Sequence, residues 1–238
     1  MPRLLFLHGY GRPPRDYAPL LDELRQDGFT IHAPFLFGNH GLAEPPLTVA
    51  EAYERTLAFL EAEGIEDYCA LGHSTGGGIA LLLTASGRPP RAVSSLCPIR
   101  RVEYGWPAFV LRSLRLNGKH WLGLSGAPRA GWRLELETGL RYNVNMLRKP
   151  GAMVRFLQDL VRFDLPQWLE TPSSIPVQVV HAQGDEFFDD YEGYEEMLRS
   201  AFSSVQLERL DEPSHEYCLL KPAQAASAVR TWLRDVSP

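Results

Sequence analysis

Residues 67–83 decide the fold of this chain, and they read Asp67-Tyr68-Cys69-Ala70-Leu71-Gly72-His73-Ser74-Thr75-Gly76-Gly77-Gly78-Ile79-Ala80-Leu81-Leu82-Leu83. A short, β-prone apolar run breaks into small residues and then resumes as a longer run of Ala and Leu. This pattern predicts a strand, a tight turn and a buried helix, in that order. Ser74 lies at the turn.

Ser74 has the neighbours that a serine nucleophile needs. A strand-to-helix turn this sharp leaves little room for side chains two residues before and after the serine, and glycines, Gly72 and Gly76, occupy both positions. The first N–H groups of the next helix, including that of Thr75, would face the space where an oxyanion develops. We interpret Gly-His-Ser-Thr-Gly as a nucleophile elbow; the alternative is a glycine-rich turn that only lets helix and strand pack closely.

Length and composition are those of an ordinary soluble globule. The 238 residues suffice for one large α/β domain, with or without an insertion. A hydrophobic fraction of 45% and a charged fraction of 22% are typical of a soluble globule, and the net charge of −5 argues against a nucleic-acid-binding protein. The widely spaced cysteines Cys69, Cys97 and Cys218 are expected to be core thiols of a reducing compartment, without a zinc site.

The first apolar run, Leu4 to Leu7, is typical of a parallel strand covered on both faces. It is too short for a signal peptide or a membrane span, so we expect a cytoplasmic protein without stable membrane insertion, although a mature form lacking its targeting segment would look the same. His8-Gly9-Tyr10-Gly11 ends the run. The glycines beside Tyr10 let its N–H face the same space as that of Thr75; an ordinary loop is the alternative.

Strand-like runs and helical periodicity alternate along most of the chain. Thr48 and Glu51 form a capping box for a helix that reaches about Gly64. The alternation predicts an α/β fold with a mostly parallel sheet of about six strands and helices on both faces. The strands expected beside the one before Ser74 lie at 4–7, 29–33, 92–97, 175–180 and 205–210, and later helices at 191–201 and through Trp232.

The alternation stops over residues 98–165, which are predicted to form a helical cap inserted between core segments 1–97 and 166–238. Twelve Lys and Arg against five acids give this region a local charge of +7, and it holds Trp106, Trp121 and Trp132. One interpretation is a solvated helical face. The other is that some arginines face the cleft, where they attract anionic substrates or an acidic lipid surface.

A serine nucleophile requires a base and an orienting acid, and in an open parallel sheet both must come from loops at the carboxyl ends of strands. Asp185 follows the fifth predicted strand and His215 the last. Their order after Ser74 is the one expected for this elbow. No cofactor or metal is expected.

Other acids and histidines are assigned lesser roles. The rival acids Glu186, Asp189 and Asp190 are interpreted as a solvated loop face, and the loop histidine His40 as a polar turn residue. His73, which flanks Ser74, is expected to project away from the Ser74 hydroxyl. His181 and His32 are expected to be strand residues.

Together these motifs resemble the α/β-hydrolase superfamily over nearly the whole chain, and within it the small bacterial carboxylesterases and monoacylglycerol lipases. Beyond the elbow and the His8-Gly9-Tyr10-Gly11 turn, the likeness rests on four further segments. They are His32-Ala33-Pro34 with Gly38-Asn39-His40-Gly41, Leu96-Cys97-Pro98, Val179-Val180-His181-Ala182-Gln183-Gly184-Asp185-Glu186, and Ser214-His215.

The resemblance implies a role for each site residue. Ser74 is the nucleophile, Asp185 the acid and His215 the base, with the N–H groups of Tyr10 and Thr75 as the oxyanion hole. The chain departs from the family in lacking the leading strands, in Pro213-Ser214 before the histidine, and in Ala182 where glycine is frequent.

The expected function is therefore hydrolysis of carboxylic esters through an acyl-enzyme, with a small-molecule ester as substrate. An anionic or lipid-like substrate is expected if arginines of region 98–165 face the cleft. The same triad could act on thioesters, amides, lactones or carbon–carbon bonds. A non-catalytic ligand-binding protein on the same fold is the alternative from another class, and an intact triad argues against it. The sequence sets neither acyl length nor oligomeric state.

Overall fold

The computed structural model describes residues 2–37, 46–99, 106–122, 150–169, 172–187 and 191–236. Their strands form one six-stranded sheet in the order β2-β1-β3-β4-β5-β6, and every neighbouring pair is parallel. The predicted parallel sheet is thus confirmed. The strands are β1 Arg3–Leu7, β2 Thr30–His32, β3 Cys69–His73, β4 Val93–Leu96, β5 Val177–Ala182 and β6 Val205–Leu210.

Helices fill the connections between the strands. Short 3₁₀ turns at Pro14–Tyr17 and Leu83–Ala85 adjoin the first and third of them. The helices are α1 Ala18–Gln26, α2 Val49–Ala62, α3 Thr75–Leu82, α4 Trp106–Leu122, α5 Pro150–Arg162, α6 Leu165–Trp168, α7 Tyr191–Ala201, α8 Tyr217–Leu220 and α9 Pro222–Val236.

The strand β1 explains why the sheet is covered on both faces. Because side chains alternate along a strand, Leu5 and Leu7 lie in one apolar cluster while Leu4 and Phe6 lie in another. The first cluster contains side chains of α2, α3, α5 and α7, and the second contains those of α1, α8 and α9. Helices therefore lie on both faces, as the alternation predicted.

Element boundaries differ from the prediction mainly at strand ends. The strand β5 begins two residues later than expected, after Pro176, and continues through Ala182, which pairs with Leu210. His181 and His32 lie in strands, as predicted. At α2, the Thr48 side chain accepts a hydrogen bond from the Glu51 N–H at 3.0 Å, which confirms the N-cap, while the Glu51 carboxylate accepts the N–H of Leu47 at 2.7 Å instead of that of Thr48.

Within residues 98–165, the described parts are helical, with α4, α5 and the start of α6. The helix α5 buries Phe156, Leu157 and Leu160 in the same cluster as one face of the sheet, and its Asp159 carboxylate accepts the Val49 N–H at 2.7 Å. Trp132 and the side chains of Trp106 and Trp121 lie outside the described residues. Of the helices described, none has the length and apolar character to cross a membrane.

Candidate active site

Ser74 occupies the turn between β3 and α3, as the elbow pattern predicted. Its backbone has φ 57° and ψ −123°, a region that costs a non-glycine residue about 1–3 kcal/mol and in which residues cluster at active sites and ligand-binding loops. A β-carbon at Gly72 would overlap the backbone of Gly76, and one at Gly76 would overlap the carbonyl of Leu7. Glycine is therefore required at both positions by close approach of backbone.

The loops after β5 and β6 bring Asp185 and His215 together. The Nδ1 atom of His215 lies 2.8 Å from Oδ2 of Asp185, and both side chains are buried. The other Asp185 oxygen, Oδ1, accepts the Phe187 N–H at 2.8 Å. This leaves Nε2 as the ring nitrogen of His215 available to a reacting group.

The two groups shift each other's pKa in the directions that a buried ion pair requires. Burial alone would raise the pKa of Asp185, but the His215 ring and the Phe187 N–H lower it below its usual range. Burial would likewise lower the pKa of His215, but Asp185, with Glu186 and Glu216 beyond it, raises the pKa above the ordinary value. The carboxylate thus stabilises a protonated imidazole.

Glu186 is not part of a solvated loop face, and that prediction was wrong. It is 4% exposed; its Oε2 accepts the backbone N–H of His215 at 3.1 Å, and its Oε1 lies 2.5 Å from the ammonium of Lys119 on α4. Burial is possible because these two partners satisfy the carboxylate. The other rival acids, Asp189 and Asp190, and the loop histidine His40 lie outside the described residues.

His73 links three parts of the site. Its Nε2 donates to the His215 carbonyl at 3.0 Å, and its Nδ1 accepts from the Tyr17 hydroxyl at 2.7 Å. The Tyr17 oxygen in turn accepts the Gly9 N–H at 3.1 Å, in the turn before Tyr10. Burial, followed by the neighbouring His215, lowers the pKa of His73 to about 3, so the ring is neutral and both of its nitrogens are engaged.

A narrow cleft of about 30 Å³ opens onto these groups. Ser74, Thr75, Tyr10 and His215 all line it, so the structure brings together every predicted site residue, with Asp185 behind His215. Thr75 begins α3, and its N–H therefore has no partner inside the helix. One part of the remaining lining is apolar and comes from Ile99, Leu116, Leu157, Leu160 and Phe187; the other part comes from Gly9, Arg12, His73 and Glu216.

The sequence analysis did not identify a buried ion pair beside the cleft. Arg12 follows the Tyr10 turn and Glu216 follows His215, and two charge-assisted bonds of 2.7 and 2.6 Å join them. Both side chains are at most 3% exposed. Burial opposes the charge of Arg12, but Glu216 outweighs it and raises the Arg12 pKa. The only sequence signal was a charged residue inside a glycine-rich turn.

Cys97 completes the surroundings of the acid. All three cysteines are buried, as predicted, and ligand atoms of Cys97, Asp185 and His215 lie within 4.8 Å of one another. Burial raises the pKa of the Cys97 thiol well above its ordinary value, and metal binding requires the thiolate. Since Asp185 and His215 already bind each other, this cluster does not fit a metal ion.

Comparison with known proteins shows which family has this fold. A family model for the alpha/beta hydrolase family matches residues 4–229. Among solved structures, a thermophilic esterase from Thermogutta terrifontis is similar with a TM-score of 0.74 and 18% identity, over 100% of this chain and 91% of that one. The enol-lactonase from Burkholderia xenovorans LB400 is similar with a TM-score of 0.75 and 17% identity, over 98% and 91%.

A curated relative matches over a shorter span. The dihydrolipoyllysine-residue acetyltransferase component of an acetoin cleaving system from Cupriavidus necator is 34% identical over 105 residues. The match covers 43% of this chain and 27% of that protein. It therefore adds no argument about activity.

Proposed function

The chain belongs to the alpha/beta hydrolase family, and we propose that it is a cofactor-independent serine hydrolase that cleaves carboxylic esters. The observation that carries the proposal is the buried pair of His215 Nδ1 and Asp185 Oδ2 at 2.8 Å, opening onto the same cleft as the strained Ser74. A structural serine would not require the left-handed backbone or the glycines that surround it.

In the proposed reaction, Nε2 of His215 takes the hydroxyl proton of Ser74 as Oγ attacks the ester carbonyl carbon. The carbonyl electron pair moves to oxygen, which accepts the N–H groups of Tyr10 and Thr75. Collapse of this intermediate expels the alcohol, protonated by His215, and leaves an acyl-enzyme. Water, deprotonated by the same ring, then attacks the acyl carbon. Collapse of this second intermediate breaks the bond to Oγ of Ser74, which takes the proton back from His215 as the carboxylic acid leaves.

We further propose that residues 98–165 act as the cap over the acyl site. Support comes from Leu116 of α4 and from Leu157 and Leu160 of α5, which line the cleft beside Ser74. A space of about 30 Å³ is far below the few hundred Å³ of a typical ligand pocket, so an acyl chain must displace part of this wall. The apolar wall favours acyl chains without charge.

An anionic or lipid-like substrate stays a prediction outside this proposal. Two cations of region 98–165, Arg112 and Lys119, are bonded to loops of the core, and the Glu186 carboxylate compensates the charge of Lys119 there. A cytoplasmic location likewise stays a prediction.

The proposal is tested by labelling with a fluorophosphonate and by turnover of p-nitrophenyl esters of increasing chain length, together with a lactone and a thioester. We expect the label on Ser74, and loss of nearly all turnover in Ser74→Ala with unchanged folding. Ser200→Ala, at an exposed serine of α7, is the matched control and should behave as wild type. Full turnover in purified Ser74→Ala would remove the nucleophile from the proposal, and binding without turnover of any ester would favour a ligand-binding protein.

A further inference from the structure

Three oxygen atoms of the core converge on the ammonium group of Lys119. Nζ lies 2.5 Å from Oε1 of Glu186, and it donates to the carbonyl oxygens of Pro213 at 2.6 Å and Gly184 at 3.3 Å. The Lys119 side chain is 19% exposed and that of Glu186 is 0% exposed. Two of these contacts are hydrogen bonds to carbonyl oxygens and the third is an ion pair with a buried carboxylate, so neutral and charged oxygens both bind the ammonium.

The three acceptors belong to the two loops that carry the acid and the base. Gly184 and Glu186 flank Asp185, and Pro213 lies two residues before His215. The loops touch closely, since the Gly184 N–H donates to Glu212 O at 2.8 Å and a β-carbon at Gly184 would clash with the Pro213 backbone. Lys119 therefore bonds to both loops where they contact each other.

The same contact extends to the base itself. The second oxygen of Glu186, Oε2, accepts the backbone N–H of His215 at 3.1 Å. Glu186 thus connects the cation on α4 directly to the residue whose ring must face Ser74. A buried carboxylate that loses its cation is strongly destabilised, so Glu186 must move toward water, and this movement weakens its bond to His215.

We propose that Lys119 is a positioning residue that holds the acid and base loops in register, and thereby aligns His215 with Ser74 while α4 is docked. The proposal rests on the serine hydrolase function proposed above. It assigns part of the basic charge of region 98–165 to a latch, defined as Lys119 with Glu186, Gly184 O and Pro213 O.

One face of α4 carries both the latch and the wall of the cleft. Arg112, Leu116 and Lys119 recur at helical spacing; Arg112 donates to the Glu186 carbonyl at 2.9 Å, and Leu116 lines the cleft. Leu111 and Leu114, at other positions of the helix, are 67% and 62% exposed. A shift of α4 that moves Leu116 aside must also pull on Lys119, so the state of the cleft wall and the alignment of the base are coupled.

The first test compares Lys119→Met with Arg115→Met. Methionine keeps the apolar stem and removes the ammonium; Arg115 is an exposed cation one turn earlier on the same helix, so the change in net charge is matched. We expect kcat/KM for a p-nitrophenyl ester to fall about 10- to 100-fold in Lys119→Met, the loss typical of a misplaced catalytic group. Arg115→Met should stay within about twofold, and equal activity of the two variants would overturn the proposal.

Chemical rescue separates positioning from general destabilisation. In Lys119→Ala, n-butylammonium chloride should restore at least about a third of the lost kcat, because a free alkylammonium can reach the same three oxygens. Tetramethylammonium chloride, which has no N–H, should restore none at equal ionic strength. Rescue by both salts, or by neither, would contradict a site built for an N–H cation.

Amide hydrogen exchange gives a readout that does not depend on activity. Peptides over 183–187 and 211–217 should exchange faster together in Lys119→Met and remain unchanged in Arg115→Met. Unchanged exchange of both peptides in Lys119→Met would overturn the proposal that Lys119 holds the two loops. If wild type hydrolyses no ester but exchange still rises in Lys119→Met, the proposed function fails while the loop coupling stands, so the two failures are distinguishable.

Discussion

His73 should make the protein sensitive to mild acid. In the folded protein its pKa is about 3, against an ordinary value of 6.5, because burial disfavours the charged ring and the neighbouring His215 side chain lowers the pKa further. The unfolded chain therefore binds a proton at higher pH than the folded chain does. Folding stability is complete above about pH 6.5 and is lost as the pH falls from 6.5 toward 3.

The size of this loss follows from the two pKa values. One pKa unit corresponds to about 1.36 kcal/mol, so at about pH 4.5, two units below the unfolded value, His73 lowers the free energy of unfolding by about 2.5 kcal/mol. Two neighbouring groups have pH ranges of their own. His215 has a raised folded pKa, so its contribution is complete below 6.5 and decreases as the pH rises above that value. Asp185 has a lowered folded pKa, so its contribution is present above its ordinary value of 3.8 and is lost as the pH falls below it.

Urea unfolding of wild type and His73→Gln at pH 7 and about pH 4.5 measures the effect. Glutamine keeps a donor and an acceptor but does not titrate; its imperfect bonds should cost about 1–3 kcal/mol at both pH values. The informative quantity is the loss between the two pH values, in which contributions of the other histidines cancel. Wild type should lose about 2.5 kcal/mol more than the variant. An equal loss in the two proteins would refute the assignment of a neutral, doubly bonded His73.

Two further outcomes are expected. Asp185→Asn should keep the fold but favour the wrong His215 tautomer, and steady-state kinetics should record a fall in kcat on the order of 10⁴-fold, as serine protease precedent indicates; a loss below tenfold would mean that another acid serves His215. Arg12→Met should lower the free energy of unfolding by about 3–5 kcal/mol, because it leaves the Glu216 carboxylate buried and unpaired. Arg12→Met with Glu216→Leu should recover most of this loss in urea unfolding, whereas additive losses would show that the pair is not coupled.

The sequence predicted the parts of this molecule that depend on local pattern. The elbow residues Gly72 and Gly76 reveal the turn because no β-carbon fits there, and this requirement can be read from five consecutive residues. The positions of Asp185 and His215 followed from topology, since loops at the carboxyl ends of parallel strands converge. The boundaries of β5 were less predictable, because pairing with β6 as far as Leu210 extends the strand beyond its apolar run.

Long-range polar contacts were not predictable in the same way. Arg12 and Glu216 are 204 positions apart, and neither has a local pattern that names the other. The hydrogen-bonded path from Gly9 through Tyr17 and His73 to the His215 carbonyl joins the connection after β1, the end of β3 and the loop after β6. Each of these groups looks like an ordinary turn or helix residue until the fold places its partner beside it. Their burial is a consequence of tertiary structure, and no periodicity in the sequence predicts it.

Lys119 and Glu186 are a further pair whose contact the sequence did not predict. A charged residue considered alone is most often solvated, so the sequence assigned Lys119 to a basic helical face or to substrate attraction, and Glu186 to an acidic loop. The structure places the two 2.5 Å apart and buries the carboxylate completely. Both predictions missed this contact for the same reason, because each charge was interpreted without its partner. Glu186 also accepts the backbone N–H of His215. At this position, therefore, the positive charge of region 98–165 helps to position the base.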